Sequence, residues 1–94
     1  MIMEEIKNIL INRGYPERQA TSVASDLMDI DSQLTDGLSH WLENETEPEY
    51  TIEGFKLSEL KHKFDMTYPA ALLTMDWLIK DPEKAKYSIQ RGVR

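Results

Sequence analysis

Apolar residues recur three and four positions apart along most of this chain, and each run is cut short by a glycine, a proline or an Asp/Ser step. That rhythm permits short amphipathic helices and little else. Ile2, Ile6, Ile9 and Leu10 make the first run, and Gly14 is placed for a left-handed cap after it. Pro16 is expected as the first residue of a second helix, where its missing N–H costs nothing. Ala20, Val23, Ala24 and Leu27 form the inward stripe of that helix. Asp31 or Ser32 is the expected cap of a third, with Leu34, Leu38, Trp41 and Leu42 facing inward. Gly37 inside this third helix costs about 1 kcal/mol relative to alanine. A backbone crossing close to it would offset that cost.

The middle of the chain changes character. Glu43 to Glu49 contains four acids and one proline and no apolar side chain, which predicts a solvated connector. Tyr50-Thr51-Ile52 alternates like a strand, and Gly54 offers a turn. Leu57, Leu60 and Phe64 predict a fourth helix, with Ser58 near its start. Thr67 caps a fifth, opened by Tyr68-Pro69 and running through Ala70 to Ile79. Being apolar almost all round, it should be the most buried element. Asp81-Pro82-Glu83 starts a sixth, with Ala85, Ile89 and Val93 facing inward. The expected fold class is therefore all-α: a compact bundle of five to six short helices with one extended segment near residues 50–54. With 94 residues it should be a single helical domain, 1–94. An acidic connector, about 43–54, would join an N-terminal three-helix part to a C-terminal helical part.

Composition narrows the class of function. Cysteine is absent, so disulfides and thiolate metal sites are excluded and a reducing, cytoplasmic setting is expected. Neither a basic-then-apolar leader nor an apolar run of bilayer length is present in the sequence, which predicts no membrane association. Residues 1–54 hold three Lys/Arg against twelve Asp/Glu, a net of -9. Residues 55–94 hold eight against five, a net of +3. Such asymmetry marks either attraction between halves or a surface for a partner.

Catalytic patterns are missing from the sequence. His40 and Glu43 share a helical face, but a single His/Glu pair does not make a metal site. His62 lies between Lys61 and Lys63 and reads as solvent-facing. A calcium loop beginning at Asp29 fails, because Leu34 stands where glycine is needed and His40 where the bidentate glutamate is needed. Ser39 and His40 are neighbours and diverge on a helix. The four glycines are scattered singly, so no phosphate loop forms. No enzyme, cofactor or metal is expected.

One stretch carries a resemblance. Ile9-Leu10, Arg13-Gly14-Tyr15-Pro16, Ala20, Ala24 and Leu38-Ser39-His40-Trp41-Leu42 stand in the order found in ubiquitin-associated domains, and residues 6–42 resemble that compact three-helix family. Arg13 replaces the family's apolar loop residue, and the segment between Ala24 and Trp41 is longer than usual. The resemblance implies a hydrophobic, ubiquitin-binding face drawn from Gly14, Tyr15, Trp41 and Leu42.

The expected function is a small non-enzymatic protein-interaction or regulatory module, with a protein partner or a second copy of itself. Aromatic side chains dominate interfaces. Tyr15, Tyr50, Tyr68 and Tyr87 lie near element ends and are the candidate surface contacts, whereas Trp41 and Trp77 should pack inside. The alternative is a nucleic-acid-associated regulator using Lys80, Lys84 and Arg91. A pI near 4.8 argues against nucleic acid as the partner.

Overall fold

Six α-helices form where the apolar spacing predicts them, in a computed structural model that describes residues 2–92. They are α1 (Met3–Asn12), α2 (Glu17–Leu27), α3 (Thr35–Asn44), α4 (Leu57–Lys63), α5 (Tyr68–Lys80) and α6 (Pro82–Gln90). A 3-10 turn, Ser32–Leu34, precedes α3, and Asp31 caps that turn through Gln33 N–H (3.0 Å). The extended segment is a minimal antiparallel hairpin of β1 (Thr51–Ile52) and β2 (Phe55–Lys56). Glu53 and Gly54 at its tip both have positive φ, 53° and 83°, as a tight hairpin turn requires. The fold is all-α apart from this hairpin. Val93, expected to face inward, lies outside the described residues.

Local chemistry explains most boundaries. Gly14 (φ 99°) follows α1, with Gly14 N–H on Ile11 O and Tyr15 N–H on Leu10 O, the Schellman arrangement. Pro16 is extended (φ −59°, ψ 147°), so it precedes α2 and Glu17 is the first helical residue. Thr67 caps α5 through Ala70 N–H, as expected. Asp65, with φ 53°, ends α4 by the same Schellman bonds that Gly14 makes, a role its side chain does not advertise.

The core is one cluster drawn from both halves of the chain. Ala20 and Ala24 are fully buried, and their small side chains let α2 pack against α1 on one side and α5 on the other. Helix α5 is the most buried helix, with Tyr68, Ala71, Leu72, Met75 and Leu78 all inside. Trp41 is buried and Trp77 half-buried.

One expectation is corrected here. What approaches Gly37 is not backbone but two tyrosine rings: a Cβ there would stand 2.6 Å from Tyr50 Cε2 and 2.8 Å from Tyr68 Oη. The acidic connector is solvent-exposed along most of its length and is also tied to the second half of the chain. Glu47 pairs with Lys61 (3.0 Å), Pro48 O accepts from Tyr68 Oη (2.8 Å), and Glu49 accepts from Ser58 N–H (2.9 Å) and from the Ser58 hydroxyl.

Glu49 thereby caps the first turn of α4 from nine residues upstream. Desolvation pushes its carboxyl up, but the bonds from Ser58 and Tyr50 outweigh that and hold it below the usual 4.5. A group depressed in this way contributes stability above its unfolded value and loses it as pH falls through the folded one. Replacing Glu49 with glutamine is therefore expected to lower the melting temperature at about pH 7, and to lower it by less and less as pH falls through the folded value. A loss that does not change with pH would refute this role for the carboxylate.

Candidate functional site

The four candidate tyrosines have unequal positions. Tyr68 is 1 % exposed and stacks on Trp41, with centroids 6.4 Å apart. Burial, with Tyr50, Glu47 and Glu49 nearby, pushes its phenol well above the ordinary range, which suits a permanent donor to Pro48 O. Tyr50 is half-buried, and its hydroxyl accepts from Gly37 N–H (2.8 Å). That N–H is one of the unpaired donors in the first turn of α3, so Tyr50 is a cap. Tyr15 is half-buried, with its hydroxyl enclosed and without a hydrogen-bond partner among the described residues. Proximity to an element end thus failed as a guide to exposure for Tyr68, because the connector folds back over it. Tyr87 alone of the four is exposed, at 61 %.

The basic candidates are also unequal. Lys80 Nζ sits 2.9 Å from Asp76 Oδ2 and donates to Asp29 O, and the Asp76 bond raises its pKa. It is an internal tie between α5 and the end of α2 rather than a free cation. Arg91 lies over the Tyr87 ring (5.3 Å) and donates to its hydroxyl (3.0 Å). Lys84 is exposed and forms no ion pair among the described residues. Lys84 and Tyr87 therefore share the outer face of α6, opposite buried Ala85 and Ile89, and Arg91 at its C-cap folds back onto Tyr87.

Sequence reasoning missed Asp76. Its side chain is largely buried, and Oδ1 accepts from Asp31 N–H (2.8 Å). A lone acid within the otherwise apolar run Ala70–Ile79, four residues before Lys80, was the available signal. Arg13 was missed as well. Its guanidinium donates to Trp41 O and Leu42 O, both at 2.8 Å, and lies 4.4 Å from the Trp41 ring. It caps the last turn of α3 at the negative end of the helix dipole, joining the Glu45 N–H on Trp41 O and supplying a side-chain donor to Leu42 O. The residues implied by the family resemblance are separated. Trp41 is consumed between Arg13 and Tyr68, and Gly14 and Tyr15 line a shallow depression with Gln19 and Thr67. Leu42 faces a different recess.

That recess is walled mainly by aliphatic side chains. A groove of about 180 Å³ is lined by Ile6 of α1, Leu27 and Met28 at the end of α2, and Thr35, Leu38, Ser39 and Leu42 of α3. Ile2 (61 % exposed) and Met3 lie one helical turn before Ile6, and Met28 is 47 % exposed. Asp26, Asp29, Asp36 and Glu43 are exposed chain neighbours of lining residues, and none has an ion-pair partner among the described residues. A second depression, about 290 Å³, lies between the hairpin, α4 and α6. Its floor is Phe55, Leu60 and Ile89, and its rim mixes Lys56 and Lys63 with Glu59.

No family model, curated protein or solved structure matches this chain. The chemistry of the surface is therefore the guide. Among the described residues no three His, Asp or Glu side chains gather in a metal-binding group. No described helix is long and apolar enough to cross a membrane.

Proposed function

We propose that this chain is a non-enzymatic protein-interaction module. It binds a short segment that presents one bulky apolar or aromatic side chain flanked by Lys or Arg. The observation that carries this reading is the aliphatic groove between α1, α2 and α3, with exposed Met28 in its wall, in the half of the chain (residues 1–54) whose net charge is -9. An apolar recess with a few polar groups in its wall, here Thr35 and Ser39, is the usual form of a binding site. Methionine adapts to varied partners, and apolar anchors in grooves carry most of the energy of such contacts. The resemblance of residues 6–42 to ubiquitin-associated domains points toward protein recognition as well, and the lack of cysteine suits a cytoplasmic setting. Nucleic acid has less support as the ligand, since Lys80 is tied to Asp76 and Arg91 to Tyr87.

A fluorescein-labelled helical peptide of leucine and lysine with one tryptophan is the probe. Fluorescence anisotropy is expected to show binding that weakens about tenfold, or ~1.4 kcal/mol, in Met28→Gln. A matched peptide with glutamate in place of lysine is expected not to bind. Equal affinity of the wild type and Met28→Gln for the lysine peptide would overturn the reading.

A further inference from the structure

Residues 46–49 cross the fold without secondary structure. Among the described residues, none of their N–H or C=O groups enters a backbone–backbone hydrogen bond. Thr46, Glu47 and Glu49 are exposed and Pro48 is half-buried, so the segment puts no side chain into the core. Three clasps hold it instead. Glu47 pairs with Lys61 (3.0 Å), Pro48 O accepts from Tyr68 Oη (2.8 Å), and Glu49 accepts from Ser58 N–H (2.9 Å) and from the Ser58 hydroxyl. Two of the three are made by carboxylates at the surface, where water competes for both partners.

The two ends of this segment are held more firmly. Glu45 closes α3 in the left-handed conformation (φ 58°), with its N–H on Trp41 O (2.9 Å). Tyr50 is fixed twice, by Gly37 N–H on its hydroxyl (2.8 Å) and by Leu57 N–H on its carbonyl (2.9 Å). Beneath the middle lies Tyr68, 1 % exposed and stacked on Trp41. Lifting the middle returns backbone entropy to four residues. It also returns two carboxylates and a phenol to water. A stretch with so little apolar burial and no backbone ladder opens at a lower free energy than the core around it.

We infer that residues 46–49 are a strap that opens on its own, pivoting at Glu45 and Tyr50, and gates access to Tyr68 while the helices stay folded. Tyr50 keeps its bond to Gly37 throughout, so α3 keeps its N-terminal cap. Glu47 and Glu49 are the latch. Any condition that weakens their bonds to Lys61 and Ser58 raises the open population. Opening turns Tyr68 from core into surface, and aromatic surface is what protein interfaces favour. Closed, the strap covers that ring with an acidic, polar exterior.

Acetylation of phenols by N-acetylimidazole tests this in the full chain, with peptide mapping by mass spectrometry reading each tyrosine separately. Exposed Tyr87 is the reference. Hydrogen exchange at the Leu72 and Met75 amides, inside α5, reports unfolding of the whole protein. In the wild type Tyr68 is expected to react more slowly than Tyr87 but faster than the opening of those amides permits. Its rate is expected to change little in dilute urea, where exchange at Leu72 and Met75 rises steeply, because lifting four residues exposes little surface. The double variant Glu47→Gln, Glu49→Gln is expected to acetylate Tyr68 about tenfold faster without urea, the effect of losing a charge-assisted hydrogen bond. If that variant does not fold, Ser58→Ala with Lys61→Gln weakens the same clasps from the α4 side and carries the same expectation. Tyr68 acetylation that rises with urea as steeply as exchange at Leu72 overturns the inference, because the strap then lifts only when the protein unfolds. So does a folded latch variant in which Tyr68 reacts no faster than in the wild type.

Discussion

Replacing Gly37 with alanine is expected to destabilise the protein by about 1–3 kcal/mol, although alanine is the better helix former. Three effects compete. The helix gains about 1 kcal/mol from the more restricted backbone. Against this, a methyl group at that place meets Tyr50 Cε2 at 2.6 Å, Tyr50 Oη at 2.7 Å and Tyr68 Oη at 2.8 Å. Overpacking of this kind costs about 1–3 kcal/mol. Moving the Tyr50 ring aside also breaks its bond to Gly37 N–H, which costs about 1 kcal/mol more. For a chain of this length the net effect corresponds to a fall in melting temperature of roughly 5–20 °C. Thermal unfolding measures it, and a variant as stable as the wild type would show that the rings move aside without cost.

Arg13→Met is expected to cost about 2–4 kcal/mol, because two charge-assisted hydrogen bonds and the stacking of the guanidinium on Trp41 disappear together. Methionine keeps most of the apolar stem, so the cost reports on the guanidinium. The Trp41 and Leu42 carbonyls are left without their donor from Arg13. Arg13→Lys is expected to recover less than half of the stability, because one ammonium does not span two carbonyls and does not stack as a planar group does. Urea denaturation with Trp fluorescence gives both values. Full recovery by lysine would show that charge alone holds the α3 terminus.

These two positions also show where the sequence is legible. Every helix is readable from apolar spacing, because a 3.6-residue period in the burial of Ile6, Leu10, Ala20, Ala24, Leu38 and Leu42 is written directly in residue order. Caps made by near neighbours are readable for the same reason, Thr67 and Gly14 among them. Caps made across the fold are not. Arg13 reads as a poor loop residue until α3 is seen ending beside it. Tyr50 reads as a strand residue until Gly37 is seen beneath it, and Glu49 reads as one acid among many until Ser58 is close. The groove is hidden too, since its walls come from three helices and Leu27, Leu38 and Leu42 look like ordinary core residues in sequence. Tyr87 is legible as a surface aromatic, but Lys84 and Arg91 read as phosphate ligands until α6 places Lys84 beside it and Arg91 over its ring.

Helix α3 is held at its start by Tyr50 and at its finish by Arg13, while Trp41 rests on Tyr68. Ten residues alone make a marginal helix in water. The third helix is therefore stable only while chain on both sides of it is in place. Its loss on one side should carry the other with it, so thermal unfolding is expected as one transition rather than two.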